Sequence, residues 1–149
     1  MQNAICFSTK FGWITATEQK NKVTSIRFKK SSKQGKTSFL LNKLKSDINL
    51  FFKSEKKLIN LPLKIEGSSI QKKVWNELRK IKKGKTKSYG EIAKKFRLSP
   101  RYVGKICGQN QHILAIPCHR VIRSDGSLAG FSAMGGINLK KKLLEFEEK

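Results

Sequence analysis

Ile116-Pro117-Cys118-His119-Arg120-Val121-Ile122, read IPCHRVI, is the stretch around which the rest of this chain is organised. Pro117 has no N–H, fixes its own φ and pushes Ile116 into extended backbone. The chain therefore enters Cys118 straight, which suits a thiol held at a strand end or in a tight turn rather than in a helix. His119 can act as a base, and Arg120 places a permanent charge close to the thiol. Thiols react as thiolates, and a neighbouring base or cation raises the thiolate fraction. The competing reading is an inert cysteine buried among isoleucines and valines.

Upstream, Ser99-Pro100 supplies an N-cap serine and a proline at the first helical position. The helix it opens runs to about Cys107 or Gly108 and buries Val103 and Ile106. Before it, Ser88-Tyr89-Gly90-Glu91 has the spacing of a capping box and opens a short helix that buries Ile92 and Phe96. Two short helices around a brief turn form a helix-turn-helix, an arrangement used on DNA and also in plain packing. Arg101 falls in the first turn of the second helix, where a cation opposes the helix dipole. That hints at a role outside the helix. Ile70, Val74, Trp75, Leu78 and Ile81 form the apolar face of an earlier helix that Gly84 closes, and Trp75 reads as core on that face. Downstream, a final helix from about Asn138 to Glu148 buries Leu139, Leu143, Leu144 and Phe146. By their neighbours alone, Glu145, Glu147 and Glu148 form a solvated acidic end.

Gly67-Ser68-Ser69 marks a change of character, and before it the pattern is that of strands. Ala4–Phe7, Phe11–Thr17 and Val23–Phe28 are rich in β-branched and aromatic residues, with polar Glu18–Lys22 as a hairpin connection. Phe39, Leu40, Leu44, Ile48, Phe51 and Phe52 recur at helical steps and predict an amphipathic helix from about Thr37 to Lys53. Leu58–Ile65 is a short extended piece carrying Pro62. No chemistry is identifiable in this region.

The chain has 149 residues, enough for one ordinary domain or two small ones. No apolar run approaches a membrane span, and the N-terminus has no signal-peptide pattern. Cys6, Cys107 and Cys118 are an odd set without CxxC spacing, which argues against a disulfide framework or a zinc knuckle and for a reducing, cytoplasmic setting. The 33 basic residues against 10 acidic ones give a formal charge of +23, which favours polyanions, nucleic acid first. Lysine outnumbers arginine 27 to 6. A diffuse lysine excess can reflect genome composition, so the arginines are the more telling cations. Only Arg27 lies in the first part; Arg79, Arg97, Arg101, Arg120 and Arg123 lie in the second.

IPCHRVI resembles the active-site signature of the O6-alkylguanine-DNA alkyltransferases, also called methylated-DNA–protein-cysteine methyltransferases. The likeness runs from about Ser68 to Glu147 and is compatible with the residues before that. It implies an α+β protein: a small N-terminal α/β, ribonuclease-H-like domain over residues 1–66 as a structural partner, and a mainly helical domain over 67–149 that binds DNA and transfers the alkyl group. SPRYVGKICGQN is similar to the family's recognition helix and following turn. Arg101 then matches the arginine finger that replaces an everted nucleotide, with Ser99, Tyr102 and Lys105 also on the DNA side. Asn110 matches the hinge asparagine that ties this helix to the active-site loop. Tyr89 matches the tyrosine that contacts the flipped base and its phosphate. SDGSLAGFSAMGG resembles the loop that closes over the guanine, so Pro117, Val121, Phe131 and Ser132 would line the base pocket. Phe131 stands where many relatives have tyrosine. Glu147 matches the glutamate that orients the histidine.

On this likeness, His119, held by Glu147, takes the proton of Cys118 through a water, and the thiolate attacks the alkyl carbon on guanine O6. O4 of thymine is a second candidate target. Each molecule acts once, as a monomer, without metal or organic cofactor. The implied partner is double-stranded DNA carrying O6-alkylguanine, read from the minor groove, with no membrane and no obligate protein partner. The implied location is the cytoplasm, on the nucleoid. The alternatives are a lesion sensor, which would lack the reactive cysteine, and a non-catalytic helix-turn-helix regulator, which would favour palindromes and dimers. A cysteine hydrolase has less support, since the second histidine, His112, reads as an ordinary loop residue.

Overall fold

The computed structural model describes residues 2–31, 35–128 and 136–149. It divides into two compact units, Met1–Ile65 with Gln111–Ala115, and Glu66–Asn110 with Ile116–Lys149. The cut thus falls between Ile65 and Glu66, and five residues of the later chain go to the first unit.

In the first unit, β1 (Asn3–Thr9), β2 (Gly12–Gln19) and β3 (Lys22–Phe28) form an antiparallel sheet in the order β1-β2-β3. The strands run further into the polar connection than composition suggests. Glu18 is part of β2, only 6% exposed, and accepts a hydrogen bond from Asn3 Nδ2 at 3.2 Å. The hairpin needs only Lys20 and Asn21, both at positive φ (53° and 63°), the backbone that suits the twist of a two-residue turn. On β2, Ile14 and Ala16 are fully buried, as alternation requires.

Helix α1 (Phe39–Phe52) starts at Ser38, whose Oγ accepts from Leu41 N at 3.2 Å. It packs on the sheet through Leu40, Leu41, Leu44, Ile48, Phe51 and Phe52, while Phe39, expected on the apolar face, is 86% exposed. Leu58–Ile65 forms no strand of its own. Leu63 makes an isolated parallel bridge to Val23, fixed by Val23 N to Pro62 O and Lys64 N to Val23 O, each 2.8 Å.

Gln111–Ala115 completes the unit from far along the chain, through Ile26 N to Gln111 O at 2.8 Å and Ile113 N to Ile26 O at 3.1 Å. His112 is therefore not an ordinary loop residue. It is 3% exposed, and its Nε2 lies 3.1 Å from Val23 O. A carbonyl only accepts, so that nitrogen carries the hydrogen.

In the second unit, α2 (Ser69–Leu78) opens with a capping box between Ser68 and Gln71. A Cβ on Gly67 would fall 2.8 Å from the Trp75 ring, so glycine is needed where the chain enters. Val74, Trp75, Leu78 and Ile81 are buried, and Trp75 Nε1 donates to Ile106 O at 3.0 Å. Regular helix stops at Leu78, and Ile81 follows in a turn. Short β4 (Lys87–Ser88) pairs in parallel with β5 (Val121–Ile122).

Helix α3 (Tyr89–Phe96) has its capping box: Glu91 N donates to Ser88 Oγ at 3.0 Å, and Ser88 N to Glu91 Oε1 at 3.3 Å. Arg97, left-handed at φ 56°, ends it, and Phe96 is half-buried instead of buried. Three residues later α4 (Pro100–Gly108) begins, capped by Ser99, and it buries Val103, Ile106 and Cys107. Helices α3 and α4 pack on one another. Helix α5 (Gly136–Glu147) buries Leu139, Lys140, Leu143 and Glu147, whereas Leu144 and Phe146 are half-buried. Its inner face thus carries two ionisable groups that apolar periodicity does not pick out. Among the described residues, no helix is long and apolar enough to cross a membrane.

Candidate active site

Cys118–Arg120 is a single 3₁₀ turn preceding β5. Pro117 keeps it from extending backward into a regular helix, and Val121 returns the chain to extended backbone. Pro117, Cys118, His119, Arg120 and Val121 are all buried. A three-residue turn fans successive side chains in different directions, and here they meet different partners.

Cys118 Sγ accepts a hydrogen bond from Asn110 Nδ2 at 3.2 Å, and the same Nδ2 donates to Ile116 O at 2.8 Å. Asn110 therefore ties the residue just past α4 to both the thiol and the backbone before it. Burial pushes the Cys118 thiol up from its ordinary pKa, while the Asn110 N–H and the nearby Lys140 cation oppose that rise.

His119 points the other way. Its Nε2 lies 2.9 Å from Glu147 Oε2. Burial would raise the Glu147 carboxyl, but hydrogen bonds from Arg120 and His119 outweigh it and hold the pKa at about 2. Glu147 is thus a carboxylate and only accepts, so the hydrogen of neutral His119 sits on Nε2 and its basic lone pair on Nδ1. Burial lowers the His119 pKa, with Glu147 pulling in the opposite direction.

Two expectations are corrected here. Arg120 does not serve the thiol. Its Nε and NH2 form a fork on Glu147 at 2.8 Å each, and NH1 donates to Ile81 O at 2.7 Å. The charge is spent on the carboxylate, as a planar guanidinium favours. Nor is Glu147 a solvated helix end, since it is 4% exposed.

A further residue escaped the sequence reading. Lys140 is 1% exposed, and its Nζ donates to Tyr89 Oη at 3.2 Å. Burial lowers its pKa, while Cys118 and Cys107 act to raise it. Tyr89 is pushed up to about 12, chiefly by burial and then by the two cysteines, so the phenol keeps its hydrogen near neutrality. The signal was available: Lys140, Leu143 and Glu147 sit at i, i+3 and i+7, one helix face. It was hidden because Lys140 opens a run of three lysines in a lysine-rich chain.

Of the residues expected on the DNA side, Ser99, Arg101, Tyr102 and Lys105 are exposed, with Tyr102 at 40%. Ser99 Oγ accepts from Tyr102 N at 3.1 Å and so caps α4. Tyr89 is 8% exposed. Phe131 and Ser132 lie outside the described residues. No group of three or more histidine, cysteine or acidic side chains fit to hold a metal ion occurs among the described residues.

Comparison with known proteins points in one direction. The model of the 6-O-methylguanine DNA methyltransferase DNA-binding domain matches residues 69–149. A methylated-DNA–protein-cysteine methyltransferase of Metallosphaera sedula is 34% identical over 144 residues, covering 95% of this chain and 90% of that protein. One from Sulfolobus acidocaldarius is 50% identical over 80 residues, 54% of this chain and 50% of the relative. Among solved structures, a Mycobacterium tuberculosis OGT in complex with DNA superposes with a TM-score of 0.88 at 30% identity, covering 98% of this chain and 92% of that one.

Proposed function

The chain belongs to the 6-O-methylguanine DNA methyltransferase family, and from that premise we propose how its own residues move an alkyl group from O6 of guanine in DNA to Cys118. The activity is that of a DNA repair methyltransferase whose acceptor is a protein cysteine. The observation that carries the assignment of residues is the divided turn, in which Cys118 is held by Asn110 while adjacent His119 is held by the Glu147 carboxylate.

The thiol is buried and protonated at rest. His119 Nδ1, bare because Nε2 faces Glu147, takes the thiol proton through a water. The charge gained is stabilised by a carboxylate already ionised in place. The sulfur then attacks the alkyl carbon in line: the S–C bond forms, the C–O6 bond breaks, and the electron pair leaves on the guanine. Lys140 Nζ donates to the Tyr89 oxygen, so the phenolic hydrogen is directed to the leaving base. The Lys140 cation also favours the thiolate over the thiol. The thioether is stable, and each chain acts once.

A stacked guanine cannot reach a cysteine this deeply buried, so the base is everted first. We assign α3 and α4 as the helix-turn-helix, with Arg101 in the first turn of α4 filling the gap in the minor groove. We assign Ser99, Tyr102 and Lys105 to the same DNA contact and Pro117 and Val121 to the base pocket, to which the resemblance adds Phe131 and Ser132, outside the described residues. The first unit is the ribonuclease-H-like structural partner, without a part in transfer.

The test is intact mass spectrometry after incubation with a duplex containing one O6-methylguanine. The expected result is a net gain of one CH2 per chain, mapped to Cys118. No gain, or a gain mapped to Cys6 or Cys107, overturns the assignment.

A further inference from the structure

The sheet of the first unit has an outer face that alkyl transfer does not use. Along β2, Ile14, Ala16 and Glu18 are buried on one side, which leaves Trp13, Thr15 and Thr17 on the other. The strand register places Ser8 opposite Trp13 and Cys6 opposite Thr15 on β1. On β3 it places Arg27 opposite Thr15 and Ser25 opposite Thr17. Arg27 is exposed and is a diagonal neighbour of Trp13, within reach of long side chains.

The chain leaving β3 is pinned against this face. Thr15 Oγ1 donates to Lys29 O at 2.6 Å, and Ser31 N donates to Cys6 Sγ at 3.5 Å. That path sets Lys30 Nζ 4.7 Å from the centre of the Trp13 ring, which is still 41% exposed. Between Asn3 and Phe39 the sole acid is Glu18, and it is buried on the opposite side of the sheet. The face therefore combines a part-exposed indole carrying the Lys30 ammonium over its ring, an arginine fork and a row of hydroxyls, and the strands and the segment leaving β3 add no carboxylate to it.

We propose that this face binds single-stranded nucleic acid, with an unpaired base stacked on Trp13 and the flanking phosphates met by Lys30 and Arg27. Aromatic rings on a sheet combined with cations that follow the backbone are the means by which proteins hold single strands without reading their sequence. Duplex DNA keeps its bases inside the stack and offers Trp13 no flat partner. An acidic peptide satisfies the cations and leaves the indole unused. Trp13, Lys30 and Arg27 have no part in the transfer proposed for Cys118, so binding here is an activity additional to the repair reaction.

The experiment measures binding of a short labelled oligothymidylate to the full chain by fluorescence anisotropy, beside single-turnover transfer from free O6-benzylguanine. Trp13→Ala weakens oligothymidylate binding by roughly tenfold, the scale of one lost base stack. Trp13→Phe restores part of the loss, and Arg27→Gln weakens binding by a smaller factor. Transfer from the free base is unchanged in all three, which also reports that they fold. Oligothymidylate affinity within twofold of wild type in Trp13→Ala overturns the proposal. So does loss of single-strand binding in Arg101→Ala with Trp13→Ala intact, since α4 would then hold the strand. Failure of the alkyl-transfer assignment shows separately, as absence of transfer in the wild type.

Discussion

The turn at Cys118–Arg120 and the exposed face of α4 belong to the same unit and are built in opposite ways. Each polar group in the turn is buried and held by a residue distant in sequence. Cys118 accepts from Asn110, His119 and Arg120 reach Glu147, and Arg120 also reaches Ile81. On α4, Arg101, Tyr102 and Lys105 face outward, and the polar contact described for that face is the local cap from Ser99 to Tyr102 N. Groups proposed for chemistry gain from being fixed before the substrate arrives, whereas the exposed side chains proposed to meet DNA can adjust to it. Damage to the turn should therefore cost both rate and stability, and damage to α4 should cost only what happens on DNA.

Cys118→Ala probes the extreme of that contrast. Removing one sulfur should abolish alkyl transfer while duplex binding by anisotropy stays near wild type, because α4 is untouched. Residual transfer mapped to Cys107 would show that the nucleophile is not unique. Cys107 is a poor substitute, since burial first and then Cys118 push its thiol up to about 12.

Glu147 is where rate and stability are tied together. Glu147→Ala leaves the Arg120 guanidinium buried without its carboxylate, a loss of about 3–5 kcal/mol for a broken buried pair. It should also slow transfer by about 10² or more by releasing His119. His119→Ala removes only the second effect, so the double variant should transfer no more slowly than the worse single one.

The pH dependence has the same sign for both groups, although burial depresses His119 and hydrogen bonds from Arg120 and His119 depress Glu147. Glu147 has a pKa of about 2 when folded, against an ordinary 4.5, so its stabilisation is complete above 4.5 and is lost as pH falls towards 2. His119 is also depressed, from 6.5, so its part is lost on acidification below that value. Wild type should lose stability to urea as pH drops below about 6.5, and Glu147→Gln should show a flatter curve below 4.5. A wild-type curve flat across both windows contradicts the carboxylate network.

How far the sequence could be read follows the same division. The capping boxes at Ser68 and Ser88, the Ser99-Pro100 start and the strands of the first unit are local devices, and local devices are legible in sequence. The same holds for the proline before Cys118. What could not be read are long-range pairings. Arg120 looked like the partner of the thiol because it lies two residues away, yet its fork closes on a carboxylate 27 residues later. His112 read as an ordinary loop residue, yet its ring meets the carbonyl of Val23, 89 residues upstream. Lys140 was one of 27 lysines, and only burial sets it apart.

On the α4 side the effects shrink, and they should separate by substrate. Arg101→Ala should slow repair of O6-methylguanine in duplex DNA by roughly tenfold, the equivalent of ~1.4 kcal/mol of support for the everted state. Transfer from free O6-benzylguanine should be unchanged. Lysine at this position should rescue only in part, having charge without the planar fork. Equal losses on both substrates would move Arg101 from the DNA face into the fold.

Ser99→Ala should give the smallest effect, and it is the sharpest test of the comparison because Ser99 stands on the boundary between its two sides. Read as a DNA contact, its loss should weaken duplex binding alone. The geometry adds a second role, since Ser99 Oγ accepts from Tyr102 N at 3.1 Å and caps the helix. Losing a serine cap costs about 1 kcal/mol, and the fraying is confined to the first turn, where Arg101 sits. The expected result is a small loss of stability to urea, a few-fold loss of duplex repair and no change with the free base. Ser99→Asp should recover the stability through its carboxylate cap, yet not the duplex rate, because it adds a negative charge beside the phosphates. If Ser99→Asp recovers both, the oxygen acts only as a cap and Ser99 leaves the set of DNA contacts. If Ser99→Ala lowers transfer to the free base as strongly as to duplex, α4 and the Cys118 turn are not separable, and the contrast between the two regions fails.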